Sequence, residues 1–176
     1  LLGADIEKAQ ALADAAAQGE VCTVANDNDP GQVVISGHVA AIERAIAMVK
    51  EFEIKRGISL PVSAPFHCPL MQGAADAMAA ALANVSLQAP LVPIYANVTA
   101  APVADADTIR DLLVAQVTGR VRWRESVIAL EAAGVHYFVE FGGKVLGPMV
   151  KRSATGEVEA MSIISMDDIE ALAKSL

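Results

Sequence analysis

The sequence predicts an α/β fold in two parts, and three observations carry that reading. Segments with apolar residues at helical spacing alternate with short runs rich in Val, Ile and aromatic residues. Residues 1–62 follow the order β-α-β-β-α-β, the split βαβ arrangement of ferredoxin-like units. Beyond residue 62 strands and helices alternate again, which argues for a largely parallel sheet. That stretch holds too few strands for a doubly wound domain. Residues 1–62 are therefore expected to form a small α+β subdomain, and residues 63–176 the C-terminal part of a larger α/β domain.

Leu1-Leu2 reads as the end of a strand. Asp5 caps a first helix, with Ile6, Ala9, Ala13 and Ala16 on one face and Gly19 as its stop. A strand is expected over residues 21–25 and another over 32–36, joined as a hairpin. Between them Asn26-Asp27-Asn28-Asp29-Pro30-Gly31 has the composition of a turn. A second helix follows Gly37, carrying Val39, Ile42, Ile46 and Val49 on one face, and residues 58–62 read as a further strand. Pro69 opens the next helix, striped by Leu70, Met71, Ala74, Ala75, Met78 and Leu82. A short strand is expected over 94–98, flanked by Pro90 and Pro93, then helices over about 107–117 and 124–133, the latter closed by Gly134. Residues 135–141 make the clearest strand. Gly142-Gly143 turn into a helix over 144–152, and a last strand (161–165) and helix (167–176) follow.

Composition excludes several functions. The 176 residues are 54% hydrophobic, which rules out intrinsic disorder. A net charge of −8 with no clustered basic residues argues against nucleic-acid binding, and 4% aromatic residues offer no base-stacking platform. No apolar run approaches the roughly 18 residues of a membrane span. Cys22 and Cys68 lie far apart in no metal-like spacing, so no disulfide framework is expected and a reducing cytoplasm is the default. No signal peptide opens the chain, and no initiator Met does. The expectation is a piece of a longer protein.

Among candidate chemical groups His67 stands out, in Ser63-Ala64-Pro65-Phe66-His67-Cys68-Pro69-Leu70-Met71. Pro65 and Pro69 stiffen the backbone around it. A helix start beside the ring favours its neutral form, which can take a proton from a hydroxyl as a general base must. The alternative is a loop histidine that only caps the helix. Cys68 also sits at the helix start, but a side chain adjacent in sequence points away from His67, and Cys22 reads as core. Phe141-Gly142-Gly143-Lys144-Val145 resembles a phosphate loop only superficially, because Gly-x-x-x-x-Gly-Lys-Ser/Thr is absent. His38 and His136 read as structural. Asp5, Asp14, Asp27 and Asp29 form no metal set, and no Gly-x-Ser-x-Gly elbow occurs.

Three stretches carry a family resemblance. Asn26-Asp27-Asn28-Asp29-Pro30-Gly31-Gln32-Val33-Val34-Ile35-Ser36-Gly37 resembles the Asn-x-Asn-x-Pro-Gly-Gln-Val-Val-Ile-x-Gly stretch of malonyl-CoA:acyl carrier protein transacylases. Residues 63–71 resemble the histidine loop of that family. Glu140-Phe141-Gly142-Gly143-Lys144-Val145-Leu146 is similar to its Glu-x-Gly-Pro-Gly-Lys-Val-Leu, with glycine where proline is usual. The resemblance implies a ferredoxin-like subdomain inserted in an incomplete α/β-hydrolase-like acyltransferase domain. It implies ping-pong transfer of malonate from coenzyme A to a serine and on to the phosphopantetheine thiol of acyl carrier protein, with no cofactor beyond the coenzyme A thioester. On the same basis His67 matches the general base, and Gln116 the residue whose main-chain carbonyl orients it. Phe66, Asn26 and Asn28 are implied in substrate binding, Phe66 disfavouring an α-methyl branch in the acyl pocket without excluding it outright. The family's serine elbow, Gly-Gln-Gly segment and malonyl-binding arginine have no counterpart in these residues. The missing N-terminal half of the same protein is thus an expected partner, and the fragment alone is expected to be inactive. Docking of an acidic carrier protein would need a local basic patch, for which Lys55, Arg56, Lys151 and Arg152 are candidates. Two other readings stay open. One is the acyltransferase domain of a polyketide synthase, which usually carries His-Ala-Phe-His where this chain has Ala64-Pro65-Phe66-His67. The other is a non-catalytic ferredoxin-like module that binds a carrier protein or small ligand.

Overall fold

A computed structural model describes residues 1–175 of the chain, which form a mixed α/β arrangement in two compact units, Leu1–Ser126 and the residues from Val127 onward. In the first unit, Asp5 caps helix α1 (Ile6–Ala17) by accepting from the Lys8 amide at 2.8 Å. The helix closes on Gln18, in the left-handed region at φ 47°, one residue before the expected glycine. Ala9, Leu12, Ala13 and Ala16 form its buried face. Strands β1 (Cys22–Asp29) and β2 (Gln32–Gly37) pair as an antiparallel hairpin. The turn expected over residues 26–31 shrinks to Pro30-Gly31, because β1 runs on through Asp29 with irregular register after Val24 and after Asp27. Composition misleads here: the Asp27 carboxylate is fully buried and paired, so it belongs to the strand and not to a solvated turn.

Gly37 ends β2 where the backbones are closest, since a Cβ there would lie 2.0 Å from the Val21 carbonyl oxygen. His38 prolongs the pairing. Its Nδ1 accepts from the Val21 amide and its own amide donates to the Val21 carbonyl, both at 2.9 Å. Helix α2 (Val39–Met48) buries Ala41 and Ala45 against α1 and leaves Val39 75% exposed. The face expected from the large apolar residues is therefore rotated. Alanine sets the contact on both helices and lets their backbones approach closely.

No strand forms over residues 58–62. Pairing ends at Arg56, which bridges Leu2, itself bridged to Gln32. Pro61 has no amide to donate, and Ile58, Leu60 and Val62 are all substantially exposed, with no described strand beside them. Pro69–Met71 make a separate 3₁₀ turn before helix α3 (Gln72–Leu82), and of the expected stripe only Ala75 is buried. Helix α4 (Ala106–Thr118) packs on α3, and Arg110 donates to the carbonyls of Leu82 and Val85 at the end of α3. Asp105 caps α4 through the Thr108 amide at 2.7 Å. Strands β3 (Ile94–Ala96) and β4 (Ala101–Val103) form a small antiparallel ladder. β4, three residues with a central Pro102, has no signal in the sequence. Helix α5 spans Trp123–Ala132.

In the second unit β5 (Tyr137–Phe141) and β6 (Glu159–Ile163) are parallel neighbours, with helix α6 (Leu146–Ser153) between them in sequence and α7 (Met166–Ser175) packed on β6. The expected parallel sheet is thus realised in this pair alone among the described strands, whereas the other two sheets are antiparallel. Helix α6 begins two residues later than expected because residues 143–145 form a turn around Glu140.

The first unit's core makes a direct stability prediction. Leu12 is fully buried among Ala9, Ala13 and Val33. Leu12→Ala should cost about 2–5 kcal/mol, measured as the shift in urea unfolding of the first unit.

Candidate functional site

The site grows from the stiff loop before the 3₁₀ turn. His67 takes φ 56°, a left-handed backbone that a non-glycine residue occupies at a cost of about 1–3 kcal/mol. That conformation turns the half-buried ring toward the end of α4. Nδ1 lies 2.9 Å from the Gln116 carbonyl oxygen and 3.1 Å from that of Gly119. Carbonyls only accept, so both contacts require the proton on Nδ1, and in the neutral tautomer Nε2 is then the acceptor. The expectation that the ring lies under the influence of a helix start needs correcting. The turn at Pro69 runs directly into α3, but the groups that touch the ring are carbonyls at the C-terminal end of a different helix, α4.

The neighbours of His67 divide sharply. Cys68 is fully buried and its thiol donates to the Pro65 carbonyl at 3.1 Å, which braces the loop. Phe66 is 47% exposed. Gln116 is held from its other end, its side-chain Oε1 accepting from Asn97 Nδ2 at 3.2 Å. Asn26 and Asn28 lie half-buried in β1, and Asn26 bridges Val121, five residues on from Gln116.

Residues that the sequence reading passed over hold this arrangement. Gly119 packs so tightly that a Cβ would meet Val98 Cγ1 at 2.7 Å and the Ala115 carbonyl oxygen at 2.8 Å. After it, the Val121 amide donates to Ala25 and the Asp27 amide to Val121, each at 2.8 Å. Arg124 grips the buried Asp27 carboxylate through Nε at 3.1 and 3.0 Å and through Nη2 at 2.8 Å. Arg122 and Arg120 pair with Glu125. The Arg122 hydrogen bond holds the Glu125 carboxyl below the usual carboxylate range, against desolvation and with help from the charges of Arg122, Arg120 and Arg124. The one available signal for these partners was an acidic residue inside an otherwise strand-like stretch, and polar neighbours on both sides masked it.

The glycine turn of the second unit is already filled. Glu140 accepts from the amides of Val145 (2.9 Å), Leu146 (3.0 Å) and Gly147 (3.0 Å), the groups an anion would otherwise find at the start of α6. His136 borders an open cleft with Tyr137, Lys151 and Glu159 in the same unit. No helix among the described residues is long and apolar enough to cross a membrane.

Comparison with known proteins places these features in context. The chain is 40% identical over 177 residues to the malonyl CoA-acyl carrier protein transacylase of Escherichia coli strain K12, an alignment that takes in 100% of this chain and 56% of the relative. The crystal structure of acyl-carrier-protein-S-malonyltransferase from Bartonella henselae matches with a TM-score of 0.94 at 43% identity, covering 99% of this chain and 56% of that one. A malonyl-transacylase solved in complex with a type II polyketide synthase acyl-carrier protein matches with a TM-score of 0.95 at 34% identity, covering 100% and 57%. No protein-family model matches. The resemblance first read from three motifs thus extends along the whole chain. The chain spans about half the length of the curated relatives it matches.

The Glu140 contacts give the second unit a pH signature. Desolvation pushes this carboxyl up, but the amides of Val145, Gly147 and Leu146 and the Ser162 hydroxyl outweigh it and hold it below the usual range. The contribution is therefore full above the unfolded value of about 4.3 and disappears as pH falls through the lower folded value. Glu140→Gln should lower the thermal stability of this unit at neutral pH, and the gap to the parent should close in acid; melts from pH 7 to pH 3 measure it.

Proposed function

We propose that this chain carries the general base of a malonyl-CoA:acyl carrier protein transacylase, while the serine nucleophile comes from the part of the relatives' length that it does not span. The observation that carries this reading is the ring of His67, whose Nδ1 faces two main-chain carbonyls while Nε2 is left as a proton acceptor. Nε2 takes the serine proton as the serine oxygen attacks the malonyl thioester, and returns it to the departing coenzyme A thiolate. In the second half-reaction the same nitrogen takes the proton of the phosphopantetheine thiol, the sulfur attacks the malonyl-serine ester, and the proton passes back to serine. The main-chain carbonyls do the work of a triad's third member: they hold tautomer and orientation without adding a charge. Substrate and partner in this reading are malonyl-CoA and acyl carrier protein. The relative solved with a polyketide carrier supports the same chemistry in either fatty acid or type II polyketide assembly.

Residues 1–62 are read as a ferredoxin-like subdomain within an α/β-hydrolase-like acyltransferase domain formed partly by residues 63–176. The order of pairing supports this, with Arg56 beside Leu2, Leu2 beside Gln32 at the start of β2, and β1 outermost. That is the neighbour order of a split βαβ sheet whose first and last strands in sequence have shortened to single bridges. Phe66, Asn26 and Asn28 are assigned to substrate contact. The Phe66 ring would leave no room for an α-methyl branch.

Single-turnover labelling with radioactive malonyl-CoA tests the reading in the full-length protein. His67→Ala should slow serine acylation by ~10²–10⁴-fold. Gln116→Ala should lose only about fivefold, since it removes one side-chain hydrogen bond to Asn97 worth about 1 kcal/mol and keeps the carbonyl. The 176-residue chain alone should take up no label; stoichiometric labelling of it would overturn the assignment. Phe66→Ala should raise methylmalonyl transfer relative to malonyl by ~10–200-fold, read from kcat/KM for the two thioesters.

A further inference from the structure

We propose that the buried Asp27–Arg124 ion pair is the positioning device for His67, acting through the main chain of residues 119–124; the inference rests on His67 being the base. Both carbonyls that hold Nδ1 lie at one end of a short segment, Gln116 in the last turn of α4 and Gly119 directly after it. Helix α4 fixes the first by its own hydrogen bonding. Gly119 has left the helix, with φ −89° and ψ 152°, so its carbonyl direction depends on where the chain goes next. Within five residues the chain is tied to β1 in three places. The Val121 amide donates to Ala25, the Asp27 amide donates to Val121, and Arg124 closes on the Asp27 carboxylate. The Arg122 amide adds a bond to the Asn97 carbonyl at 3.0 Å, but toward β1 itself the two amide bonds meet at the single residue Val121 and leave a pivot there. The ion pair removes that pivot, because a guanidinium bound through two nitrogens to one carboxylate fixes angle as well as distance.

The chemistry of the pair fits positioning better than stability. Asp27 is 0% exposed, so its charge is buried and is met by the Arg124 guanidinium. Burying such a pair is on average neutral or unfavourable compared with apolar residues of similar volume. What the pair supplies is geometry, and the geometry it supplies ends at the Gly119 oxygen, 3.1 Å from the imidazole. Only glycine fits at 119, where a side chain would meet Val98 Cγ1 and the Ala115 carbonyl oxygen, so the carbonyl sits on a path that the chain beyond it sets.

Arg124→Lys keeps the charge but loses the fork, and Asp27→Leu combined with Arg124→Met removes both charges while keeping volume. In the full-length protein both should fold, shown by circular dichroism, and both should lower kcat for malonyl transfer by ~10–100-fold, because a misplacement near 1 Å is worth about that much. KM for malonyl-CoA should stay within about twofold, as uniform binding is untouched. In proton–nitrogen NMR spectra the Nδ1–H resonance of His67 should be lost to exchange in both variants. Folded variants with parental kcat and an intact Nδ1–H resonance would overturn the proposal. His67→Ala, run alongside, separates the two levels: if it retains parental kcat, the base assignment has failed, whereas a dead His67→Ala beside fully active ion-pair variants removes only the positioning role.

Discussion

An imidazole bound through one nitrogen has two unlike ends, and main-chain carbonyls impose that asymmetry on His67 by accepting the hydrogen bond of Nδ1–H. An aspartate in the same place would do so with a full negative charge, which must itself be desolvated and held. Carbonyls at the end of α4 carry only the partial negative charge of unpaired peptide dipoles, and they come with the helix. The rest of the site follows from this choice. Holding the ring this way needs a helix terminus at a fixed height, a loop that bends sharply enough to bring the ring there, and a chain beyond the terminus that does not wander. The left-handed backbone of His67, the buried thiol of Cys68 braced on Pro65, and the tightly packed Gly119 meet those needs one by one.

The core of the first unit shows how little bulk is needed for this. α1 and α2 meet through alanines, and the apolar side chains of greater size sit mostly on β1, β2 and the chain segments at their borders. Small residues permit close helix approach, and close packing makes the hairpin a rigid base from which Asp27 can reach. A strand held so firmly tolerates two irregularities of register without losing its pairing. Those irregularities fall on either side of Asn26 and Asp27, where the strand carries its polar residues.

Much of this organisation was readable from residues alone. Helix α1 with its Asp5 cap, α4, α5, β2 and the strand before the double glycine follow from local periodicity and capping, both of which act within a few residues. Periodicity failed where the stabilising partner was distant. The polar stretch through Asp27 looked like solvent-exposed turn because nothing local reveals an arginine nearly a hundred positions later. Residues 58–62 looked like a strand because their β-formers are genuine, yet a strand also needs a neighbour with free amides. The stripe of α3 looked like a buried face, but a stripe states only what a helix can cover. At the site, the resemblance singled out His67 and Gln116, whereas Gly119 was invisible: a carbonyl oxygen has no signature in a side-chain alphabet.

The glycine turn after β5 carries a further implication for how this chain meets phosphorylated molecules. Its three amides face a carboxylate tethered by covalent bonds only a few residues away, so the local concentration of that internal competitor far exceeds what a dissolved ligand can reach. A nucleotide phosphate arriving from solution would have to evict it. The chain thus uses this cradle of amides as an internal fastener.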